Sequence, residues 1–358
     1  MQHDFSGRVK TVRMSKDGKN FSMSSNFDSP PNVAKFDISQ ATFLRSDDKP
    51  CIFEYREKQS EILVTGCENE VREMQIQRKN SPPFYGKIHP DGKVDEIELP
   101  QIKDKIIYPA FMRTNITELG RTATRQAELP ACMDLDVYLY YGPSFEQVAG
   151  GKAEAKAWRI ASHAKKRYMH PEFPTKINLM PTIRKLDRDT HTLDNVSSLI
   201  PQENFKKGRL HAILVSGKIG HYDPDAGTIG IAWNGALCNP QEPQEDNSGP
   251  YSLTTVYSNS QTDMMTGDTL AHELAHNLGI GHDFENPHPE NKDNKQKQRT
   301  RSCGPGLGEP GGALMNSQRQ MNSTWSECTR EDFMNYFQFS QPFCLKTSEY
   351  NIFHLCFG

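Results

Sequence analysis

The stretch from Thr269 to Asp283 reads TLAHELAHNLGIGHD and places three histidines at fixed spacing, His272, His276 and His282. On an α-helix with 3.6 residues per turn, residues four apart lie on one face, so the first two histidines can approach one ion. The third can reach the same ion only if the helix ends and the chain turns. Gly279 permits such a turn. The stretch therefore predicts a helix that ends just before this glycine and a three-histidine metal site.

Three neutral imidazoles favour Zn²⁺ and leave one coordination position open, which is typical of a catalytic zinc site. Zinc lowers the pKa of a bound water toward about 7, and a neighbouring carboxylate can take the proton as the water attacks a carbonyl. Glu273 follows His272 directly and is the expected base. Two surface histidines one turn apart are the alternative for a bare HExxH motif, but the glycine and the third histidine disfavour it.

The run HExxHxxGxxHD resembles the signature of the metzincin metalloproteases. Aspartate after the third histidine is what the reprolysin family, which includes the adamalysins and ADAM proteases, shows at that position. The resemblance implies a methionine turn beneath the zinc, for which Met315 is the candidate. It also implies that a peptide substrate lies antiparallel along an exposed edge strand at Ile229, Gly230 and Ile231. An ordinary sheet edge is the alternative for each of these three residues.

Eight cysteines, an even number spread along the chain, favour disulfides and an oxidising compartment over a zinc ribbon. Family resemblance implies the pairs Cys238–Cys344 and Cys303–Cys328 and a propeptide loop closed by Cys51–Cys67. Cys132 and Cys356 are left and can pair with each other. Reprolysin propeptides commonly silence the zinc with the cysteine of a PKxCGV-like motif, which this sequence lacks. Cys132 is the nearest candidate for that role, so a disulfide and a thiolate ligand both stay open for it.

Two units are predicted from the order of the sequence patterns. Short alternating stretches from residue 5 to about 107 indicate antiparallel strands. From residue 134, strand and helix patterns alternate, which predicts an α/β fold with a mostly parallel sheet. By resemblance, residues 1–126 are a β-rich propeptide that inhibits the protease. Residues 127–358 are a metzincin catalytic domain with an active-site helix and an irregular C-terminal subdomain. The polar stretch 108–129 is the expected cleavable connector.

Within the second unit, periodicity predicts the individual elements. The predicted strands cover 137–141, 176–180, 210–215, 228–233 and 252–257, and the predicted helices cover 153–168, 193–206, 267–277 and 329–337. The basic, polar stretch 286–301 is interpreted as a solvated loop, with a role in steering substrate as the alternative.

Several classes of partner are disfavoured by composition. The 358 residues carry a formal net charge of −3 and no long basic run, which disfavours nucleic acid. No run of eighteen apolar residues could span a membrane. The opening MQHDFSGRVK lacks the apolar region of a signal peptide, so we expect that peptide to be absent from this chain. Four N-x-S/T sequons, at Asn20, Asn115, Asn195 and Asn322, agree with a secreted glycoprotein.

The resemblance implies a secreted zinc metalloendopeptidase, monomeric and synthesised as a zymogen, that cleaves extracellular proteins or peptides. An apolar side chain is expected just after the scissile bond. Without a disintegrin-like module, the chain looks most like the secreted reprolysins of arthropod venoms and saliva and the simplest snake-venom toxins. Some reprolysins bind calcium, and Asp136 stands at the position of an acidic ligand. Calcium stays open, because six or more oxygens are needed and one donor is evident.

Two other functions compete with this prediction. A non-enzymatic binding protein could keep the fold with its cleft blocked by the propeptide, but the intact histidines and Glu273 disfavour it. A zinc enzyme acting on a non-peptide substrate is disfavoured by the strand predicted beside the zinc, because such an edge pairs with an extended peptide backbone.

Overall fold

The computed structural model describes residues 11–14, 21–24, 52–57, 60–66, 71–78, 81–97, 102–107, 129–200, 208–216, 228–238, 251–255, 263–283, 303, 314–315, 318–319 and 325–340. The strands are β1 (Thr11–Met14), β2 (Phe21–Ser24), β3 (Ile52–Glu57), β4 (Ser60–Thr65), β5 (Arg72–Arg78), β6 (Ser81–Ile88), β7 (Val94–Glu96), β8 (Ile102–Ile107), β9 (Cys132–Tyr141), β10 (Lys176–Lys185), β11 (Arg209–Val215), β12 (Thr228–Trp233), β13 (Tyr251–Thr255) and β14 (Gln318–Arg319). The helices are α1 (Pro143–Ala149), α2 (Ala153–Tyr168), α3 (Val196–Leu199), α4 (Asp263–Asn277) and α5 (Glu327–Ser340), and Leu193–Asn195 forms a 3₁₀ turn.

A seven-stranded sheet with the order β10-β9-β11-β13-β12-β8-β14 forms the larger unit. Strands β10, β9, β11 and β13 are parallel, and β12 runs antiparallel to β13. The interior strand β11 reads RLHAILV and is buried from Leu210 to Val215, as expected for a parallel strand covered on both faces. The predicted α/β fold with a mostly parallel sheet is confirmed.

Helices α2 and α4 pack together over one face of this sheet. They contribute Ile160, Ala164, Leu270 and Leu274 to the main hydrophobic core. The two helices approach closely at Gly267, where a Cβ atom would lie 2.3 Å from the Cβ of His163 and 2.9 Å from the carbonyl of Ile160. Glycine at this position therefore lets the metal-site helix lie directly on its neighbour. None of the described helices combines the length and apolarity that a membrane span needs.

The smaller unit is a five-stranded antiparallel meander with the order β3-β4-β5-β6-β7. It has its own hydrophobic core, which includes Phe53, Ile62, Val64, Met74 and Ile76. The hairpin of β1 and β2 joins this core through Val12 and Met23. The predicted antiparallel character of the N-terminal region agrees with this sheet.

Strand β8 lies in the larger sheet, although it falls within the segment predicted as propeptide. It pairs in parallel with β12, with Ile231 opposite Lys105 and Trp233 opposite Ile107. On its other side it pairs antiparallel with β14. The expectation that β12 is an exposed edge is therefore wrong for this form of the chain, because β8 occupies that edge.

The helix predicted over 193–206 is shorter in the structure. It ends at Leu199, and Ile200 is extended, with φ −89° and ψ 127°. Pro201 follows, and the ring of a proline disfavours helical geometry in the residue before it. The rest of that prediction, 201–207, lies outside the described residues, as do the connector 108–128 and the polar stretch 286–301.

Candidate metal centre

The three predicted histidines converge in the structure. The Nε2 atom of His272 lies 3.0 Å from that of His276 and 3.3 Å from that of His282. His272 and His276 are fully buried and His282 is 4% exposed. The described residues contain one other group of metal-ligating types, Asp283 with Cys303 and Cys328. Its two cysteines are bonded to each other, so the histidine cluster is the metal candidate.

Backbone carbonyls orient two of the imidazole rings. Nδ1 of His272 donates to the carbonyl of Leu314 at 2.6 Å, and Nδ1 of His276 donates to the carbonyl of Ile280 at 2.7 Å. A carbonyl can only accept a hydrogen bond, so in each neutral ring Nδ1 carries the hydrogen and Nε2 keeps its lone pair. Such second partners fix the ring of a metal ligand. The donor set, three nitrogen lone pairs at one point, fits Zn²⁺.

The turn that returns His282 is built at the end of α4. Gly279 has φ +79°, its N–H donates to the carbonyl of His276, and the N–H of Ile280 donates to the carbonyl of Ala275. This pair of bonds is the Schellman arrangement that ends helices at glycine. A Cβ on Gly279 would lie 2.6 Å from the Tyr336 ring on α5. The glycine is thus required by both backbone conformation and packing.

We predict that Gly279→Ala lowers the free energy of unfolding by about 2–4 kcal/mol, because left-handed strain and overpacking add. Gly150→Ala is the matched control. Gly150 has φ +59° and nothing within 4 Å of a built Cβ, so an alanine there introduces left-handed strain without overpacking. This substitution should lower the free energy of unfolding by about 1–2 kcal/mol. Urea denaturation of the two variants measures the difference. Equal losses would show that contact with Tyr336 contributes nothing.

The candidate methionine turn contacts the histidine motif through its backbone. Met315 is fully buried, and its carbonyl accepts the N–H of Asp283 at 2.9 Å. Its neighbour Leu314 supplies the carbonyl that orients His272. The Asp283 carboxylate in turn accepts a hydrogen bond from Ser326 at the start of α5. Backbone groups of the turn thus hold both ends of the histidine motif, a role that the sequence analysis did not identify.

Glu273 is fully buried and lies against β12. A Cβ built on Gly230 would be 1.9 Å from its Oε1 and 2.4 Å from its Cδ, so the missing side chain at 230 makes room for this carboxylate. Burial raises the pKa of Tyr168 well above its usual range, and the charge of Glu273 adds to that shift. The Tyr168 hydroxyl donates to the carbonyl of Ala271 at 2.7 Å.

Cysteine chemistry in the described residues is entirely disulfide. Cys303 pairs with Cys328, with a Cα–Cα distance of 5.5 Å, as the resemblance implied. Cys132 and Cys238 are also disulfide-bonded. This state of Cys132 favours the disulfide over a thiolate ligand to zinc. The predicted partners Cys344 and Cys356, and both members of the pair Cys51–Cys67, lie outside the described residues.

Asp136, the candidate calcium ligand, faces a cation. Its Oδ2 lies 3.5 Å from Nε of Arg209. Among the described residues it belongs to no group of three metal-ligating side chains. The structure therefore adds no support for calcium at this strand.

Comparisons with known proteins show what the segment around this site is similar to. A model described as metallo-peptidase family M12, of the reprolysin type, matches residues 190–326. A zinc metalloproteinase-disintegrin-like protein of Cerberus rynchops is 30% identical over 111 residues, 31% of this chain and 15% of that protein. The snake venom metalloproteinase fibrolase of Macrovipera lebetinus is 26% identical over 123 residues, 34% of this chain and 47% of that protein. Atroxlysin-1 of Bothrops atrox is 41% identical over 56 residues, 16% of this chain and 23% of that protein.

In each case the match spans less than half of the relative's own length. The matched family segment includes the whole histidine motif and the candidate methionine turn. Together with the buried histidines and their oriented rings, these matches show that residues 190–326 are similar to the reprolysin-type metallo-peptidases of family M12.

Proposed function

We propose that the chain is the zymogen of a secreted zinc endopeptidase. The observation that carries this proposal is the convergence of three Nε2 atoms, with rings fixed by the carbonyls of Leu314 and Ile280. His272, His276 and His282 would hold the zinc. Similarity to venom metalloproteinases supports an extracellular site of action and a venom or salivary role.

Peptide hydrolysis is the reaction that these residues suit. Bound zinc would supply a Lewis acid that polarises the scissile carbonyl and acidifies a water. Glu273 would take the proton of that water and pass it to the leaving amine, because a carboxylate beside the metal is the usual base in HExxH sites. Its burial and its position against Gly230 keep the carboxylate beside the strand proposed to bind substrate. Met315 would form the apolar floor of the site.

The substrate would pair with β12 through the backbone of Ile229, Gly230 and Ile231. An extended peptide adds to a sheet edge through main-chain hydrogen bonds, with side-chain pockets adding selectivity. By family resemblance we expect an apolar side chain just after the scissile bond. Extracellular proteins and bioactive peptides are the proposed substrate class.

The N-terminal segment, residues 1–126, would act as the inhibitor of this protease. Support comes from β8, which takes the place on β12 that a substrate would need. Cleavage within 108–129 would separate this segment from the catalytic domain of residues 127–358. A strand rather than a cysteine would then provide latency, which agrees with the absence of a PKxCGV-like motif and with the disulfide at Cys132.

We predict that the cleaved, zinc-loaded protein hydrolyses casein and that a chelator removes this activity completely. Added zinc should restore it, because the three Nε2 atoms already converge in the structure. The uncut chain should be at least about tenfold less active, since a strand that must first leave the edge reduces the competent population. A zinc-loaded catalytic fragment that has been separated from the N-terminal segment and still cleaves no peptide would contradict the proposed function. It would favour the alternative of a non-enzymatic binding protein.

A further inference from the structure

Two patches of the N-terminal sheet contact the helix that carries the metal site. The first is apolar. Leu63 on β4 and Tyr85 on β6 form a buried cluster with Ile229 on β12 and with Met264 and Met265 on α4. All five side chains are at most 3% exposed. This cluster joins the smaller sheet to the larger unit through side chains, in addition to the backbone pairing of β8.

The second patch is a buried network of hydrogen bonds around Asp268, one turn before His272. The Tyr85 hydroxyl donates to Asp268 Oδ2 at 3.0 Å, and Gln75 donates to the Tyr85 hydroxyl at 3.0 Å. Arg167 on α2 donates to Gln75 Oε1 and to Asp268 Oδ1, each at 2.6 Å. The ion pair between Arg167 and Asp268 lies within the larger unit, and two polar side chains of the smaller sheet complete it. Such a satisfied network specifies which surfaces meet.

Glu73 on β5 extends this contact to the first residue of α4. The N–H of Asp263 donates to Glu73 Oε2 at 2.5 Å. The Asp263 carboxylate is itself paired with Lys156 and Arg159 on α2. Glu73 therefore faces one carboxylate and two cations across the contact. Burial, and then the charge of Asp263, raise the pKa of Glu73 to about 8. Lys156, the hydrogen bond from the Asp263 N–H and Arg159 lower this pKa, but more weakly.

We propose that these contacts form a clasp that holds the N-terminal sheet on the metal-site helix after the connector is cut, and that opens as pH rises. The clasp consists of Glu73, Gln75 and Tyr85 on the N-terminal sheet, Asp263 and Asp268 on α4, and Arg167 on α2. The contacts of the clasp do not depend on the proposed function. Only the statement that the clasp keeps a protease inhibited rests on it. Cleavage of the connector then removes the covalent link between the N-terminal sheet and the larger unit. Deprotonation of Glu73 opens the clasp and releases the sheet.

Proton linkage explains why the clasp weakens as pH rises. In the closed clasp Glu73 binds its proton with a pKa of about 8, whereas a separated, solvated Glu73 has the ordinary value of 4.5. The contribution of Glu73 to closure is therefore complete below pH 4.5 and is lost as pH rises through 8. Since the separated sheet releases its proton earlier, association should weaken by about 30- to 200-fold between about pH 5.5 and 8.5.

The test uses the full chain with a recognition sequence for a site-specific protease inserted after Arg121. The folded, zinc-loaded protein is cut, and the association of the two fragments is measured by sedimentation velocity across this pH range. We expect the wild-type fragments to associate tightly at low pH and to separate as pH rises. Glu73→Gln keeps a neutral side chain and should lower the pH dependence to less than about threefold. Glu154→Gln, an exposed carboxylate on α2, is the matched control and should behave as wild type.

A second measurement needs no variant. ¹³C NMR of glutamate-labelled wild type should show one carboxyl that titrates near pH 8 in the uncut chain. That signal should move to the ordinary range once the fragments have separated. The clasp is ruled out if the cut fragments never associate, if wild type and Glu73→Gln lose association with the same pH dependence, or if no glutamate titrates above pH 6. None of these outcomes depends on catalysis, whereas inactivity of the separated zinc-loaded fragment would count only against the proposed function.

Discussion

Glu273→Gln is expected to lower kcat/KM for peptide hydrolysis by about 10²–10⁴-fold in the cut protein, because the general base is lost. Zinc should remain at one ion per chain, since the three histidines and not the carboxylate supply the lone pairs. Glutamine has nearly the same shape, so the space beside Gly230 stays filled. Steady-state kinetics with a peptide substrate and metal analysis of the same sample measure both quantities.

The control for this variant is Glu327→Gln, which changes an exposed carboxylate in the first turn of α5. It should leave activity and zinc content unchanged. Loss of zinc from the Glu273→Gln protein would mean that the carboxylate is a ligand rather than a base. Full activity with zinc bound would assign the base to another group.

Gly230→Ala should lower kcat/KM by about 10²-fold while zinc stays bound, because a carboxylate displaced by about 1 Å loses its alignment. A Cβ at 230 meets the flexible end of Glu273, and the cheapest relief is movement of that carboxylate. At Gly267 a Cβ meets a backbone carbonyl of α2, so Gly267→Ala must separate two helices. We therefore expect Gly230→Ala to lose turnover and Gly267→Ala to lose stability.

A double-mutant cycle decides whether the loss at position 230 acts through Glu273. In the Glu273→Gln background there is no base left to displace, so Gly230→Ala should add little further loss. Independent, additive losses would show instead that Gly230 matters through substrate pairing along β12. Urea denaturation of each single variant separates both results from unfolding.

Features of the site that depend on local sequence could be predicted. The ligand spacing and the turn at Gly279 are set within a few residues, and helical periodicity with the conformational freedom of glycine is enough to infer them. The helix break before Pro201 was also available from the sequence, because proline restricts the residue that precedes it.

Features that join distant parts of the chain could not be predicted. Glu73 contacts Asp263, which lies 190 residues further along the chain. No residue pattern in either segment indicates that the two segments meet. The same holds for β8, whose short alternating pattern suits any sheet and does not specify β12 as its neighbour. The carbonyl partners of the histidine rings are backbone atoms and leave no signature in residue types. The expectation of an exposed edge at β12 was wrong for this reason, because it required knowledge of a strand pairing between distant parts of the chain.

Strand β8 lies between β12 and β14. Its departure would therefore open a slot one strand wide in the sheet, rather than expose one edge strand. Neighbouring strands lie about 4.8 Å apart, which makes this slot about 10 Å across. A peptide entering it would have the backbone of β12 on one flank and, over the two residues Gln318 and Arg319, the backbone of β14 on the other. Such a peptide would be bound through its main chain. Its side chains could therefore vary while its backbone stays extended.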